Sequence, residues 1–110
     1  MAYDEELADR IRARLGQRAG LTEKKMFGGL AFLLGGNMAI AASGQGGILV
    51  RVDPAESDEL VASTPAEPME MRGRQMAGWL RVETADVADD RTLGEWVERG
   101  AGYAASLPPK

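Results

Sequence analysis

The sequence predicts an α+β domain: an antiparallel sheet of about six strands, with N- and C-terminal helices packed on one face. Three observations carry that expectation. Apolar residues recur at helical spacing at both ends of the chain. Between them lie apolar runs of strand length, separated by Gly-rich turns. Those turns are too short for crossover connections, so successive strands run antiparallel. Helices before and after such a sheet leave it covered on one face.

The first helix is expected over Tyr3 to Leu15. Leu7, Ile11 and Leu15 recur every four residues, with Tyr3 and Ala8 on or near the same face. Asp4, Glu5 and Glu6 fall in its first turn and Arg12 and Arg14 in its last, which suits the helix dipole. Gly16 is a stop signal. Thr22 to Phe27 and Leu30 to Leu34 then read as strands around Gly28-Gly29. Gly35-Gly36-Asn37 makes a tight turn into Met38 to Ala42, and Ser43 to Gly47 turns into Ile48 to Val52. In that last strand Ile48, Val50 and Val52 point one way, Leu49 and Arg51 the other.

A second helix is expected from Asp53-Pro54 to about Ala62. Asp53 is its cap, Pro54 suits its first position, and Glu56 stands where a capping box has an acid. Pro65 and Pro68 mark a loop. Met69-Glu70-Met71 and Trp79-Leu80-Arg81-Val82 read as two short strands joined through Arg72-Gly73-Arg74. The last helix is expected to start with a Thr92/Glu95 capping box. Leu93, Trp96, Val97, Gly100, Ala101 and Ala104 form its stripe, and Pro108-Pro109 ends it.

Composition narrows the function classes. The 110 residues suit one domain, residues 1–110, with 45% hydrophobic and 27% charged residues. There is no Cys and no His. Disulfides, thiolate or imidazole zinc sites, Cys nucleophiles and His-based triads are therefore excluded, and acid–base chemistry would fall to Asp, Glu, Lys or Tyr. No metal site and no cofactor are expected. The acidic N-terminus does not resemble a signal peptide, and no apolar run nears the roughly 20 residues of a membrane span. The expected location is cytoplasmic. Net charge is −4. Residues 1–52 carry 7 basic and 5 acidic side chains, residues 53–110 carry 6 and 12. That balance disfavours nonspecific phosphate binding while leaving room for a local basic patch.

The candidate binding residues are Lys24, Lys25, Phe27, Arg51, Arg72, Arg74 and Trp79. Lys24 and Lys25 precede Gly28-Gly29, a combination that attracts anions in phosphate-binding loops. The spacing does not match a P-loop, so strand–turn–strand is the favoured reading, with Gly28, Gly29, Gly36 and Asn37 as structural turn residues. Arg72 and Arg74 flank a hairpin tip; either they contact phosphate or carboxylate groups, or they are simply solvated. Trp79 is an interface anchor or part of the core. The six Met residues read as core filling where aromatics are scarce, with an adaptable binding surface as the alternative. The acids Asp53, Glu56, Asp58 and Glu59 lack the spacing of a calcium loop and read as a solvated helix face.

Taken in order, several stretches resemble the N-terminal domain of the TfoX/Sxy competence-regulator family. They are Met1 to Leu7, Thr22-Glu23-Lys24-Lys25-Met26-Phe27-Gly28-Gly29-Leu30-Ala31-Phe32, Gly36-Asn37-Met38, Leu49 to Val52, Pro68 to Met71, Gly78-Trp79 and Ser106 to Lys110. The resemblance implies an α+β sandwich with one antiparallel sheet and supplies no catalytic residues. Competence-type members resemble regulators that act with the cyclic-AMP receptor protein and carry a second, C-terminal domain, before which this chain is expected to end.

Three functions remain open at this level. The first is a non-enzymatic interaction module, a transcriptional co-regulator acting on a protein partner as monomer or homodimer. The second is a nucleic-acid-binding domain using Lys24, Lys25, Arg51, Arg72 and Arg74, which requires those side chains to converge on one face. The third is a small-ligand binder or enzyme, which requires a pocket with convergent polar groups.

Overall fold

A computed structural model describes residues 3–26, 28–71 and 73–109. The chain runs α1 (Glu5–Leu15), β1 (Leu21–Met26), β2 (Gly29–Leu34), β3 (Asn37–Ala42), β4 (Ile48–Arg51), a 3-10 turn (Pro54–Glu56), α2 (Ser57–Ser63), β5 (Glu67–Met71), β6 (Arg74–Val82), a second 3-10 turn (Thr84–Val87) and α3 (Asp90–Ser106). The six strands form one antiparallel sheet in the order β1-β2-β3-β4-β6-β5. The α+β architecture is the expected one. The first four strands form the expected meander. The chain then crosses to the far edge for β5 and returns as β6 to pair with β4.

All three helices lie on one face of the sheet. Their buried residues, among them Leu7, Ile11, Leu60, Trp96 and Val97, share one core with Phe32, Ile40, Val50 and Leu80 of the strands. Caps account for where the helices start. Asp4 is not the expected first-turn acid of α1 but its N-cap, accepting from the Leu7 N–H at 3.1 Å. Asp53 caps as expected, yet what it starts is the 3-10 turn. Glu56 makes no capping bond, and α2 begins only at Ser57. α3 begins earlier than the Thr92/Glu95 box implied. Asp89 accepts from the N–H groups of Arg91 and Thr92 at 2.8 and 3.3 Å, and the Thr92 hydroxyl donates to the same carboxylate. A carboxylate serves several donors at once, so it displaces a hydroxyl as cap. These donors, the Thr92 hydroxyl foremost, hold the Asp89 carboxyl below its ordinary value.

The distal hairpin departs most from expectation. Pro68 lies inside β5 rather than in a loop, and β6 starts at Arg74 rather than Trp79. β5 is an edge strand, where a residue without an N–H is tolerated, and the pairing slips between Pro68 and Met69.

The turn glycines divide by cause. Gly28 has φ +76°, the left-handed conformation that disfavours a side chain. Gly29 has ordinary backbone angles but no room: a Cβ there would lie 2.2 Å from the Ala42 carbonyl oxygen. In the next turn Gly35 and Gly36 take the positive φ, whereas Asn37 is the first, buried residue of β3. Its side-chain amide donates to the Pro108 carbonyl at 2.9 Å and ties the C-terminal segment to the sheet.

Candidate interaction surface

Side chains alternate across a strand, so the helix-covered face dictates what the other face carries. One cross-strand row runs Lys24, Ala31, Ala41, Leu49, Arg81 and Glu67, one residue from each strand in sheet order. Ala31, Met38, Ala41 and Leu49 are buried there as a second, smaller cluster, against which Met26, Leu33, Met69 and Trp79 pack half-buried. No helix contributes to this cluster. Those four half-buried side chains keep part of their surface in solvent. Met76, opposite Met69, is 38% exposed and extends the patch to the distal hairpin.

Cations surround this apolar centre. Lys24 stands at the β1 edge. Arg51 pairs with Trp79 across β4 and β6. Its guanidinium lies 5.2 Å from the Trp79 ring centroid and 5.7 Å from that of Tyr103 in α3. Such contacts orient a guanidinium without neutralising it. Arg74, two residues before Met76 in β6, falls on the same side. Arg81 donates to the Ser43 hydroxyl at 3.2 Å and the Gln45 carbonyl at 3.1 Å, with Glu83 3.6 Å away. Among the described residues Lys24, Arg51 and Arg74 make no salt bridge.

The opposite face treats its charges differently. Arg10 pairs with Asp90 at 2.8 Å, and Arg18 with Glu98. Arg12 grips Glu23 with two hydrogen bonds of 2.7 and 2.9 Å and lies 5.9 Å from the Phe32 ring centroid, clasping α1 to β1. Those bonds hold the Glu23 carboxyl below its ordinary value against the opposing effect of burial, and raise the Arg12 guanidinium.

The residues expected to bind therefore separate. Lys24, Arg74 and Trp79 share the helix-free face; Arg51 stands there by register, with its guanidinium also reaching the Tyr103 ring of α3. Lys25 pairs with Leu30 and points the other way, so the five-cation set proposed for nucleic acid does not converge. Phe27 and Arg72 lie outside the described residues. Arg81 and Leu33 also stand on this face and are not among the residues singled out from the sequence. Period-two spacing from Trp79 was the signal for Arg81, since residues 79 and 81 of one strand share a face. The methionines do both things considered for them: Met38 is buried, Met26 and Met69 are half-buried, and Met76 is exposed.

Elsewhere, a groove of about 490 Å³ runs between the start of β1 and the last turn of α3, lined by Leu34, Ala104, Leu107 and Pro109. Arg18 is its only charged lining residue among those described, and it is turned toward Glu98. Among the described residues no three acids come together as cation ligands. Among them, too, no helix is long and apolar enough to cross a membrane.

Comparison with curated proteins and with solved structures finds no match. The model of one family, the TfoX N-terminal domain, matches residues 13–104, which take in every strand of the sheet and nearly all of α3. The chain belongs to the TfoX N-terminal domain family.

Proposed function

We propose that the chain is a non-catalytic interaction module, a co-regulator of transcription that works by contact between its helix-free sheet face and another protein. One observation carries this reading: an apolar centre of Leu33, Leu49, Met69 and Trp79 is flanked by Lys24, Arg51 and Arg74, which make no salt bridge among the described residues, and by Arg81, which has Glu83 beside it. Interfaces concentrate aromatic residues, Met and Arg in this manner. Among the described residues, the groove beside α3 lacks the converging polar groups that a reaction or a small polar ligand requires. Nucleic acid is the weaker alternative, because an apolar centre offers nothing to a phosphate backbone and the chain is acidic overall.

The test compares what is captured from the native cell by the wild-type chain, by a Leu33→Glu/Trp79→Ala variant, and by an Arg91→Glu variant on the helix side. A protein partner held by the first and third and lost by the second is expected. A captured set indifferent to the sheet-face changes would overturn the reading. So would retention through nucleic acid that nuclease releases.

A further inference from the structure

We propose that this sheet face receives an acidic amphipathic α-helix of about four turns from the partner protein, an inference that rests on the protein-contact reading. Size sets the length. Six strands spaced about 4.8 Å apart put β1 and β5 roughly 24 Å from each other. A helix rising 1.5 Å per residue crosses that distance in about 16 residues. The sheet already accommodates a helix of this length on its other side, where the 17-residue α3 packs against β2, β3 and β4.

Polarity sets the composition. Met26, Leu33, Leu49, Trp79 and Met69 carry the apolar centre from β1 to β5 and match one apolar stripe of a helix. Thioethers at Met26, Met69 and Met76 adapt to side chains of different shape. Lys24, Arg51, Arg74 and Arg81 flank that centre, against Glu67 and Glu83 as carboxylates beside Arg81. The face is thus locally basic in a chain of net charge −4. Glu and Asp on the flanks of the incoming helix complement it. A second copy of this chain complements it less well, because its own face brings the same four cations against two carboxylates, Glu67 and Glu83.

The experiment titrates isotope-labelled full chain with a synthetic peptide of about 16 residues, Leu along one helical stripe and Glu on its flanks, following backbone amide shifts at physiological salt. Two comparators are the same peptide with Lys for every Glu and a mixed-sequence DNA duplex. The Glu peptide is expected to shift amides of β1, β2, β4 and β6 around Lys24, Leu33, Leu49 and Trp79. The Lys peptide is expected to bind about tenfold more weakly or worse. A folded Lys24→Glu/Arg74→Glu variant is expected to reverse that order, which a purely structural role for these residues would not do. Equal affinity for both peptides, with shifts confined to the sheet face, overturns the acidic helix and leaves the contact surface standing. Shifts confined to α1 and α3, or tighter binding of the duplex, overturn both. No binding of the Glu peptide overturns the helix proposal. So does dimerisation of the wild type that the sheet-face variant abolishes.

Discussion

Phe32 and Leu33 are neighbours in β2, yet they belong to different environments. Phe32 is fully buried beneath the helices, with the Arg12 guanidinium near its ring. Leu33 is half-buried on the side that no helix covers. The same division holds for charge. Where helices close over the sheet, Arg10, Arg12 and Arg18 are each matched with a carboxylate. Where the sheet is open, Lys24, Arg51 and Arg74 are unmatched among the described residues. The division is one of degree: Arg81 on the open face has Glu83 beside it, and Arg14 and Arg99 on the helix side make no salt bridge among the described residues. A face that must hold the fold settles its electrostatics internally. On the proposed contact face, Lys24, Arg51 and Arg74 are left for a partner to match.

Adjacent substitutions test that division most severely. Phe32→Ala is expected to cost about 3–5 kcal/mol in urea unfolding, as large-to-small changes in a closed core do. Leu33→Ala should cost far less and weaken partner binding instead. Equal losses of stability at the two positions would erase the distinction between the faces. The paired glycines come next. Gly29→Ala forces a methyl group against the Ala42 carbonyl and is expected to cost about 1–3 kcal/mol. Gly28→Ala is expected to cost about 1–2 kcal/mol through its positive φ. Lys24→Ala should stay within about 0.5 kcal/mol. A Lys24 variant less stable than both glycine variants would give that edge a structural role.

The smallest effect is electrostatic. Glu23 has a folded-state value below its unfolded one, so its bond to Arg12 contributes fully above the ordinary glutamate value near 4.3 and is lost as pH falls through the lower folded value. Both side chains are substantially exposed, at 44% and 36%, so the contribution is expected to be about 0.2–1 kcal/mol. An NMR titration of Glu23 in wild type and in Arg12→Gln checks it. The carboxyl should titrate higher in the variant, and an unchanged midpoint would show that the clasp has no electrostatic weight.

Periodicity made part of this legible. Along Ile48 to Val52, Ile48, Val50 and Val52 read as one side and Leu49 and Arg51 as the other; the first three lie in the core beneath the helices and Leu49 in the second cluster. The same rule bears on Lys24 and Lys25: neighbours in one strand point to opposite faces and cannot form a single patch. β2 and β3 hid their faces because both sides are buried there, which removes polar alternation from Leu30 to Leu34 and from Met38 to Ala42. The distal hairpin hid its length because Pro68 and the slip beside it imitate a loop. Arg81 is inconspicuous in the sequence because its neighbours Leu80 and Val82 mark a strand by their burial on the other face.

The exchange of β5 and β6 in the sheet order also has a consequence in time. Each pair from β1 to β4 closes over a short turn and can form as soon as its two strands exist. β4 must wait for β6, after residues 52–73 have gone by, so this interior pairing carries the longest delay in the sheet. Until then β4 is an edge, with Ile48 and Val50 beside unpaired backbone groups, and offers itself to other nascent chains. Pulse-labelling hydrogen exchange during refolding should protect the β2–β3 amides before those joining β4 to β6. Variants that slow that final step, such as Leu80→Ala, should aggregate at concentrations where the wild type refolds cleanly.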